Sequence, residues 1–409
     1  MNVLFLTLST IENLRENGIY LDLINEFSNR GINIYVVSPR EKRMNLNTEL
    51  IVDRNIKNLR VRIGNITKTK NFIEKGISTL LFEYQYLKAI KKYFRNVNFD
   101  LLIYSTPPIS YNRIIKYFKK KQIIKTYLML KDIFPQNAVD LGLIKKNSII
   151  YKYFRQKEKE LYKLSDYIGC MSKANVEYIL KHNPYLNKEK VEIFPNSILP
   201  KDKKEILKEK GQNKAEVYDK YNIPSNKTLF IYGGNLGKPQ GIDFLIEVMK
   251  NFDRINNSYL LIVGDGTEFN KLRIAIHEHK LKNVKLIKYL PKNEYNKLLS
   301  TSDVGLIFLD NRFTIPNFPS RLTSYMEYGL PVLAATDKNT DIKDVLIKYE
   351  AGFWCESGDI KSFIKYANAL ANNKELREKM GENGRNYLEK HFDIRKNIDI
   401  ILNHFKWEE

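Results

Sequence analysis

Cysteine is nearly missing from this 409-residue chain: Cys170 and Cys355 are the only two, far apart, with no CxxC pair or Cys/His cluster around either. That excludes a disulfide framework and a structural zinc site, and it fits a reducing compartment. Glycine (19) and proline (13) are too sparse for a linker-like or disordered protein, and 43% hydrophobic residues supply enough apolar surface for packed cores. No apolar run approaches the roughly 20 residues of a membrane-spanning helix. The opening stretch, MNVLFLTLST, lacks the positive region and small-residue cleavage site of an export signal and alternates like a strand. The expectation is a globular cytoplasmic protein with two domains, each burying its own core. Histidine is scarce as well, and none of the five lies in a recognisable active-site segment. His277, His279, His391 and His404 fall in polar, helical stretches and are read as solvated.

Acidic residues are the other shortage, leaving a net charge of +21 that is unevenly placed. Residues 1–200 hold 34 Lys and Arg against 18 Asp and Glu, whereas 201–409 hold 34 against 29. The excess concentrates in 54–125, where 17 basic residues meet only Glu74, Glu83 and Asp100. Lysine outnumbers arginine 51 to 17, which biased nucleotide composition alone would produce, but such a bias loads both halves alike. The asymmetry therefore predicts an anionic partner for the first half. Nucleic acid is disfavoured as that partner, because no recognition-helix, zinc-finger or RNP-like pattern is present and arginine, which base readout favours, is the rarer cation.

Strand-like and helix-like periodicities alternate from end to end. Apolar runs at 3–8 and 32–37 flank Tyr20, Leu23, Ile24 and Phe27 at helical spacing, which makes a βαβ unit. Further strands are expected at 101–104, 123–130, 167–170 and 191–194, with helices at 77–93 and 151–164. A polar, lysine-rich stretch after Pro195-Asn196-Ser197, reaching about position 213, reads as the domain boundary. A second series then brings strands at 228–232, 259–263, 284–287, 304–308 and 331–335. The fold class expected is α/β, with two doubly wound Rossmann-like domains facing a cleft and ligands beyond the carboxyl ends of the strands.

Three junctions of the second series are suited to chemistry. Gly233-Gly234-Asn235-Leu236-Gly237-Lys238-Pro239-Gln240-Gly241 joins a strand to a helix. Its glycines permit close approach to a phosphate, the helix start supplies N–H donors, and Lys238 adds a point charge. It is neither a Walker A loop nor a GxGxxG fingerprint, and a plain glycine-rich turn would read the same. Val263-Gly264-Asp265-Gly266 is a second strand-to-turn junction, which a tight structural turn would also match. In the third, Pro319 keeps Phe318 extended, Ser320 suits an N-cap, and a short helix is expected from about 321 to 329. Its start presents N–H groups and the Arg321 guanidinium to a diphosphate; a capped structural helix with a surface arginine is the plainer alternative.

In this order and spacing, GGNLGKPQG, IVGDG and PSRLTSYMEYGLPVLA resemble the C-terminal half of the retaining sugar-nucleotide glycosyltransferases of the GT-B architecture, family 4. The similarity is strongest to bacterial O-antigen and capsule enzymes of the fucosamine-transferase type. Lys131-Asp132-Ile133-Phe134-Pro135-Gln136-Asn137-Ala138, followed by Leu141-Gly142, is similar to that group's Asp-x-x-Pro segment, and Phe194-Pro195-Asn196-Ser197 to its Pro-Asn-Gly interdomain segment. The resemblance implies an acceptor-binding domain over 1–200, completed by a crossover helix at about 393–409, and a nucleotide-sugar-binding domain over 201–392. The implied reaction moves a hexosyl or N-acetylhexosaminyl unit from a UDP-linked sugar to a polyprenyl diphosphate-linked acceptor in surface polysaccharide assembly.

No cofactor or metal is implied, since cationic side chains and helix starts neutralise the leaving diphosphate. Arg321 and Lys238 are the cations expected to act in catalysis, with the backbone of Gly234, Asn235 and Ser320 as donors. Gly18, Gly237, Asp265, Gly266, Tyr289, Ser324 and Glu327 complete the expected donor-binding set. Asp132 is expected to meet the acceptor hydroxyl or the positive charge developing on the sugar, the alternative being an N-cap role.

The chain departs from the family pattern at two places. Aligning through Gly329 and Pro331 puts Pro316 and Ser324 where many members carry a Glu-x7-Glu pair, and Asn235 stands where an arginine is common. An epimerase reading keeps the fold but wants cleft carboxylates and histidines that are not evident. The missing glutamates leave open a non-catalytic partner subunit. The stretches 77–94, with Ile77, Leu80, Leu81, Tyr84, Leu87 and Tyr93 beside Lys75, Lys88, Lys91 and Lys92, and 111–121, with Ile114, Ile115 and Phe118 among five basic residues, suit the inner face of an anionic membrane. Packing of those apolar residues on a sheet is the competing expectation.

Overall fold

The structure, a computed structural model, describes residues 1–67 and 72–405. Its strands are β1 (Asn2–Leu6), β2 (Asn33–Glu41), β3 (Glu49–Asp53), β4 (Ile56–Ile63), β5 (Leu101–Ser105), β6 (Lys125–Leu130), β7 (Tyr167–Cys170), β8 (Val191–Ile193), β9 (Thr228–Asn235), β10 (Ser258–Asp265), β11 (Val284–Ile287), β12 (Val304–Phe308), β13 (Val332–Thr336) and β14 (Gly352–Glu356). Its helices are α1 (Ile19–Asn29), α2 (Phe72–Tyr93), α3 (Asn112–Lys121), α4 (Gln136–Asp140), α5 (Ile149–Leu164), α6 (Lys173–His182), α7 (Lys203–Lys220), α8 (Ile242–Lys250), α9 (Phe269–Glu278), α10 (Lys292–Thr301), α11 (Arg321–Glu327), α12 (Ile342–Lys348), α13 (Ile360–Asn372), α14 (Lys374–His391) and α15 (Ile394–Leu402). Among the described residues no helix is long and apolar enough to cross a membrane. Contacts divide the chain into two units: Met1–Leu199 with Ile394–Glu409, and Pro200–Asp393.

The first unit is an eight-stranded sheet in the order β3-β4-β2-β1-β5-β6-β7-β8. Its central strands are built on apolar runs, Val3–Leu6, Ile34–Val37, Leu101–Tyr104 and Tyr127–Leu130, as a parallel sheet covered on both faces requires. The edge pair β3 and β4 is antiparallel, and periodicity did not reveal it, because Arg60 and Arg62 interrupt the apolar pattern of β4. Arg62 is exposed, whereas Arg60 is buried beside Arg40 of β2, and these two share the carboxylates of Glu12 and Glu49.

Helix α15 belongs to this unit. Ile394, Ile398 and Ile401 are buried against Ile24 and Phe27 of α1, and Asn397 donates to the Ser197 hydroxyl at 2.7 Å. Residues 406–409 of the expected crossover helix lie outside the described residues. His404, read as solvated, instead stacks on Tyr167 at 3.6 Å between ring centroids and meets Glu192 at 2.9 Å. Sequence periodicity could not show this, since the partners come from β7 and β8.

The second unit is a six-stranded parallel sheet in the order β11-β10-β9-β12-β13-β14. The lysine-rich stretch read as the domain boundary is mostly helix α7, and the two units divide just before it, between Leu199 and Pro200. Asp202 caps it by accepting from the Lys204 N–H at 2.7 Å, and Ile206, Val217 and Tyr218 bury its apolar side. Only three of its apolar residues are buried, Leu207 being exposed, which is too few to register as a helical stripe in the sequence, yet they suffice to seat the helix.

Candidate functional site

In the second unit all strands point the same way, so their carboxyl ends gather along one edge. The register pairs Gly233 with Val263, Gly234 with Gly264 and Asn235 with Asp265, which brings the first two glycine junctions side by side. The glycines there are required by contact. A Cβ on Gly264 would lie 1.9 Å from the Gly234 carbonyl oxygen, and one on Gly266 would lie 2.3 Å from that of Leu236. Asp265 turns its Oδ1 onto the Gly266 N–H at 2.9 Å and leaves its side chain exposed. Gly241, in the left-handed region at φ 54°, caps α8 and lies against the Leu309 carbonyl at the end of β12. Lys238 opens a short 3-10 turn and is exposed, while Asn235 folds onto Gln240, its Nδ2 donating at 3.1 Å.

Arg321, the first residue of α11, enters this edge. Its guanidinium centres 4.4 Å from the Tyr232 ring centroid, and a Cβ on Gly234 would be 3.2 Å from its Nη2. Nη1 is buried without a hydrogen-bond partner, and Arg321 forms no ion pair among the described residues. Burial opposes its charge, but the phenol groups of Tyr232, Tyr325 and Tyr295 outweigh that and shift its pKa upward. The result is a permanently charged fork beside a glycine loop with no carboxylate to neutralise it, a setting that favours an anion.

The three tyrosines were not singled out by sequence reasoning. Tyr325 accepts from the Gly233 N–H at 3.2 Å and donates to the Leu306 carbonyl at 3.1 Å, bracing the glycine strand. Tyr232 donates to the Asn235 carbonyl at 3.0 Å. Tyr295 fills the space beside Gly233, where a Cβ would lie 1.9 Å from its hydroxyl. The one signal that could have found Tyr325 is its place one helical turn after Arg321.

Other expected residues are placed less directly. Ser320 precedes α11, but its hydroxyl makes no capping bond; its carbonyl accepts from the Thr323 N–H and hydroxyl. Ser324 is half-buried on α11. Glu327 lies at the far end of that helix, and its carboxylate accepts from the Lys201 N–H at 3.0 Å, which ties it to the start of the unit rather than to the glycine loop. Arg385 joins the same knot through the carbonyls of Glu327 and Lys201. Tyr289, just beyond β11, is 67% exposed. Gly237 is buried, and a Cβ there would lie 2.9 Å from Asn235 Nδ2.

In the first unit, Gly18 is the N-cap of α1 and its N–H donates to Asp22 Oδ1 at 3.1 Å. Asp132 follows β6 and does not cap a helix: Asn137 Nδ2 donates to both its oxygens, at 2.8 and 2.7 Å. Burial raises its pKa to about 6, partly offset by the Ile133 N–H and Asn137. Lys131, named only within its motif, is driven by burial down to about 7, with the Phe194 carbonyl 3.4 Å from Nζ. Two neighbouring groups pushed toward neutrality from opposite sides are the kind of perturbation that functional sites share with buried structural pairs. Among the described residues no three His, Cys, Asp or Glu side chains cluster as a metal site.

Comparison with known proteins agrees with this geometry. The family described as glycosyl transferases group 1 matches residues 213–387. The chain is 25% identical over 279 residues to glycosyltransferase WbjE of Pseudomonas aeruginosa, covering 67% of this chain and 66% of that one. It is 30% identical over 295 residues to glycosyltransferase MJ1059 of Methanocaldococcus jannaschii, covering 69% and 68%. It is 28% identical over 204 residues to the capsular polysaccharide biosynthesis glycosyltransferase CapM of Staphylococcus aureus, covering 47% and 50%. Among solved structures, Anabaena HepE in complex with UDP and glucose superposes with a TM-score of 0.70 at 13% identity over 99% of both chains. The fold is the GT-B arrangement of two Rossmann-like domains. The chain belongs to the group 1 glycosyl transferases.

Proposed function

We propose that the protein moves a hexosyl or N-acetylhexosaminyl unit, with retention of configuration, from a UDP-linked sugar held by the second unit to a polyprenyl diphosphate-linked saccharide held by the first, in bacterial surface polysaccharide assembly. The observation that carries the reading is the Arg321 fork beside Gly234, with Nη1 buried and without a partner and no carboxylate paired to it among the described residues. A relative named for capsular polysaccharide biosynthesis and a structural neighbour holding UDP and glucose support it. Arg321 and Lys238 neutralise the leaving diphosphate without a metal, and the backbone of the glycine loop donates to it. The sugar C1–phosphate bond breaks as the acceptor oxygen bonds C1 on the same face, and the leaving phosphate oxygen takes the acceptor's proton. Asp132 then steadies the cationic sugar rather than abstracting that proton.

The acceptor places the enzyme at the inner face of an anionic membrane. Helix α3 contributes only charge, because Ile114, Ile115 and Phe118 are buried. Helix α2 contributes apolar surface: Ile77, Leu80, Leu81 and Tyr84 follow one helical stripe and are 54, 69, 49 and 54% exposed. Lys75 lies outside the described side chains. Apolar groups at the headgroup boundary gain burial, and each nearby lysine adds about 1 kcal/mol. Replacing both Leu80 and Leu81 by glutamate is expected to weaken co-sedimentation with phosphatidylglycerol vesicles by about tenfold or more, each buried leucine being worth roughly 1.5–3 kcal/mol. Nucleotide binding should be untouched. Unchanged sedimentation would remove α2 from the interface.

Turnover tests the main reading. Incubated with UDP-, GDP- and dTDP-sugars and membrane lipid extract, the protein is expected to release nucleoside diphosphate and label the lipid with one donor. Interconversion of a sugar nucleotide without acceptor would instead establish an epimerase, and no turnover with any donor a partner subunit.

A further inference from the structure

Between β12 and α11 the chain makes a long loop that carries Arg321, and a turn after β13 grips it at two places. Asp337, 1% exposed, accepts through Oδ1 from the Asn339 and Thr340 N–H groups at 2.8 and 2.9 Å. That shapes the turn. Thr340, 0% exposed, then accepts from the Asn317 N–H at 2.7 Å and donates to the Asn317 carbonyl. Asn339 Nδ2 donates to the Phe313 carbonyl at 2.6 Å. Five residues, 313–317, are thereby pinned at both ends, with Phe313 and Ile315 buried beneath them. From Asn317 the path to Arg321 runs only through Phe318, whose ring packs on Phe392, then Pro319 and Ser320. Little slack remains.

We propose that Asp337 and Thr340 are positioning residues that set the register of the donor-binding loop and hold Arg321 at its place beside the glycine strand. The inference rests on Arg321 being the ligand of the donor diphosphate. A purely structural turn would have been met more cheaply by a neutral cap, because Asp337 Oδ2 is buried with no partner, a costly arrangement. Burial raises the Asp337 carboxyl to about 6, against its backbone donors and Lys343 of α12. The other charges nearby are already occupied: Lys338 with Glu356 of β14, and Arg312 with Asp310. Protonation weakens Oδ1 as an acceptor, so the grip loosens as pH falls through about 6.

Three variants read this out. Thr340→Val removes both bonds to Asn317 while keeping shape, and is expected to raise the donor KM and the UDP dissociation constant at least about tenfold, with kcat falling as well because Arg321 also meets the charge that develops on the leaving diphosphate. Thr340→Ser should restore them. Asn339→Ala, at an exposed position, should raise the donor KM about threefold and keeps the test open if Thr340→Val does not fold. Donor KM of the parent protein should climb below pH 6, and Asp337→Asn should flatten that limb. Unaltered donor KM in both Thr340→Val and Asn339→Ala, with UDP still bound by the parent, overturns this inference alone. A parent protein that binds no nucleoside diphosphate removes the Arg321 reading and this one with it.

Discussion

Replacing Arg321 by methionine lowers kcat/KM for the sugar nucleotide by about 10²–10³-fold, the loss expected when one preorganised charge is taken from a developing oxyanion, while the melting temperature rises. The two effects have one cause. The guanidinium is largely withdrawn from water, has no carboxylate partner among the described residues and leaves its buried Nη1 without an acceptor. In the empty protein it is a desolvated charge, and an apolar side chain of similar volume relieves that cost. Lysine should not rescue activity: it supplies charge but not the planar fork that lies over the Tyr232 ring. Differential scanning calorimetry and UDP titration of the same samples check both signs. A variant that loses stability along with binding would show that Arg321 is a packing residue.

Asp132→Asn should lower kcat by about 10²-fold with donor KM nearly unchanged, since a group acting on the reacting centre is worth roughly 10²–10⁴. In the parent protein kcat should increase with pH through about 6 as the carboxylate ionises. The variant should lack that limb, which separates it from the donor-KM limb assigned to Asp337. Stability should move the other way. The folded protein keeps the Asp132 proton up to about 6 whereas the unfolded chain releases it near 3.8. Ionisation therefore penalises the fold progressively between those values and fully above them, by about 3 kcal/mol at 1.36 kcal/mol per pKa unit. Asp132→Asn should be the more stable protein at pH 7.5, and its advantage should vanish near pH 4.

Much of the architecture was legible because buried parallel strands are continuous apolar runs: β7, β11 and β12 fall where periodicity put them. What failed was what long-range partners decide. Strand β4 carries Arg60, which acids from elsewhere neutralise, and α7 is held by three apolar side chains. In the candidate site, local pattern marked the glycine loop and Arg321 but could not show that three tyrosines surround the guanidinium. Contact across a sheet has no period along the chain. Glu327 shows the converse: it was expected among the donor ligands implied by the resemblance, yet its carboxylate is taken by the Lys201 N–H. The resemblance to known transferases pointed to this loop, and the structure adds that Arg321 has no carboxylate partner there among the described residues.

The core of the first unit contains Ile394, Ile398 and Ile401, nearly two hundred positions beyond Leu199. During synthesis the second unit is contiguous and can close as soon as it leaves the ribosome, whereas the earlier-made sheet must wait, one apolar flank uncovered, until α15 has emerged. Translation order and completion order are thus reversed, and a chain released just after Asp393 has its later-made half finished and its earlier-made half not.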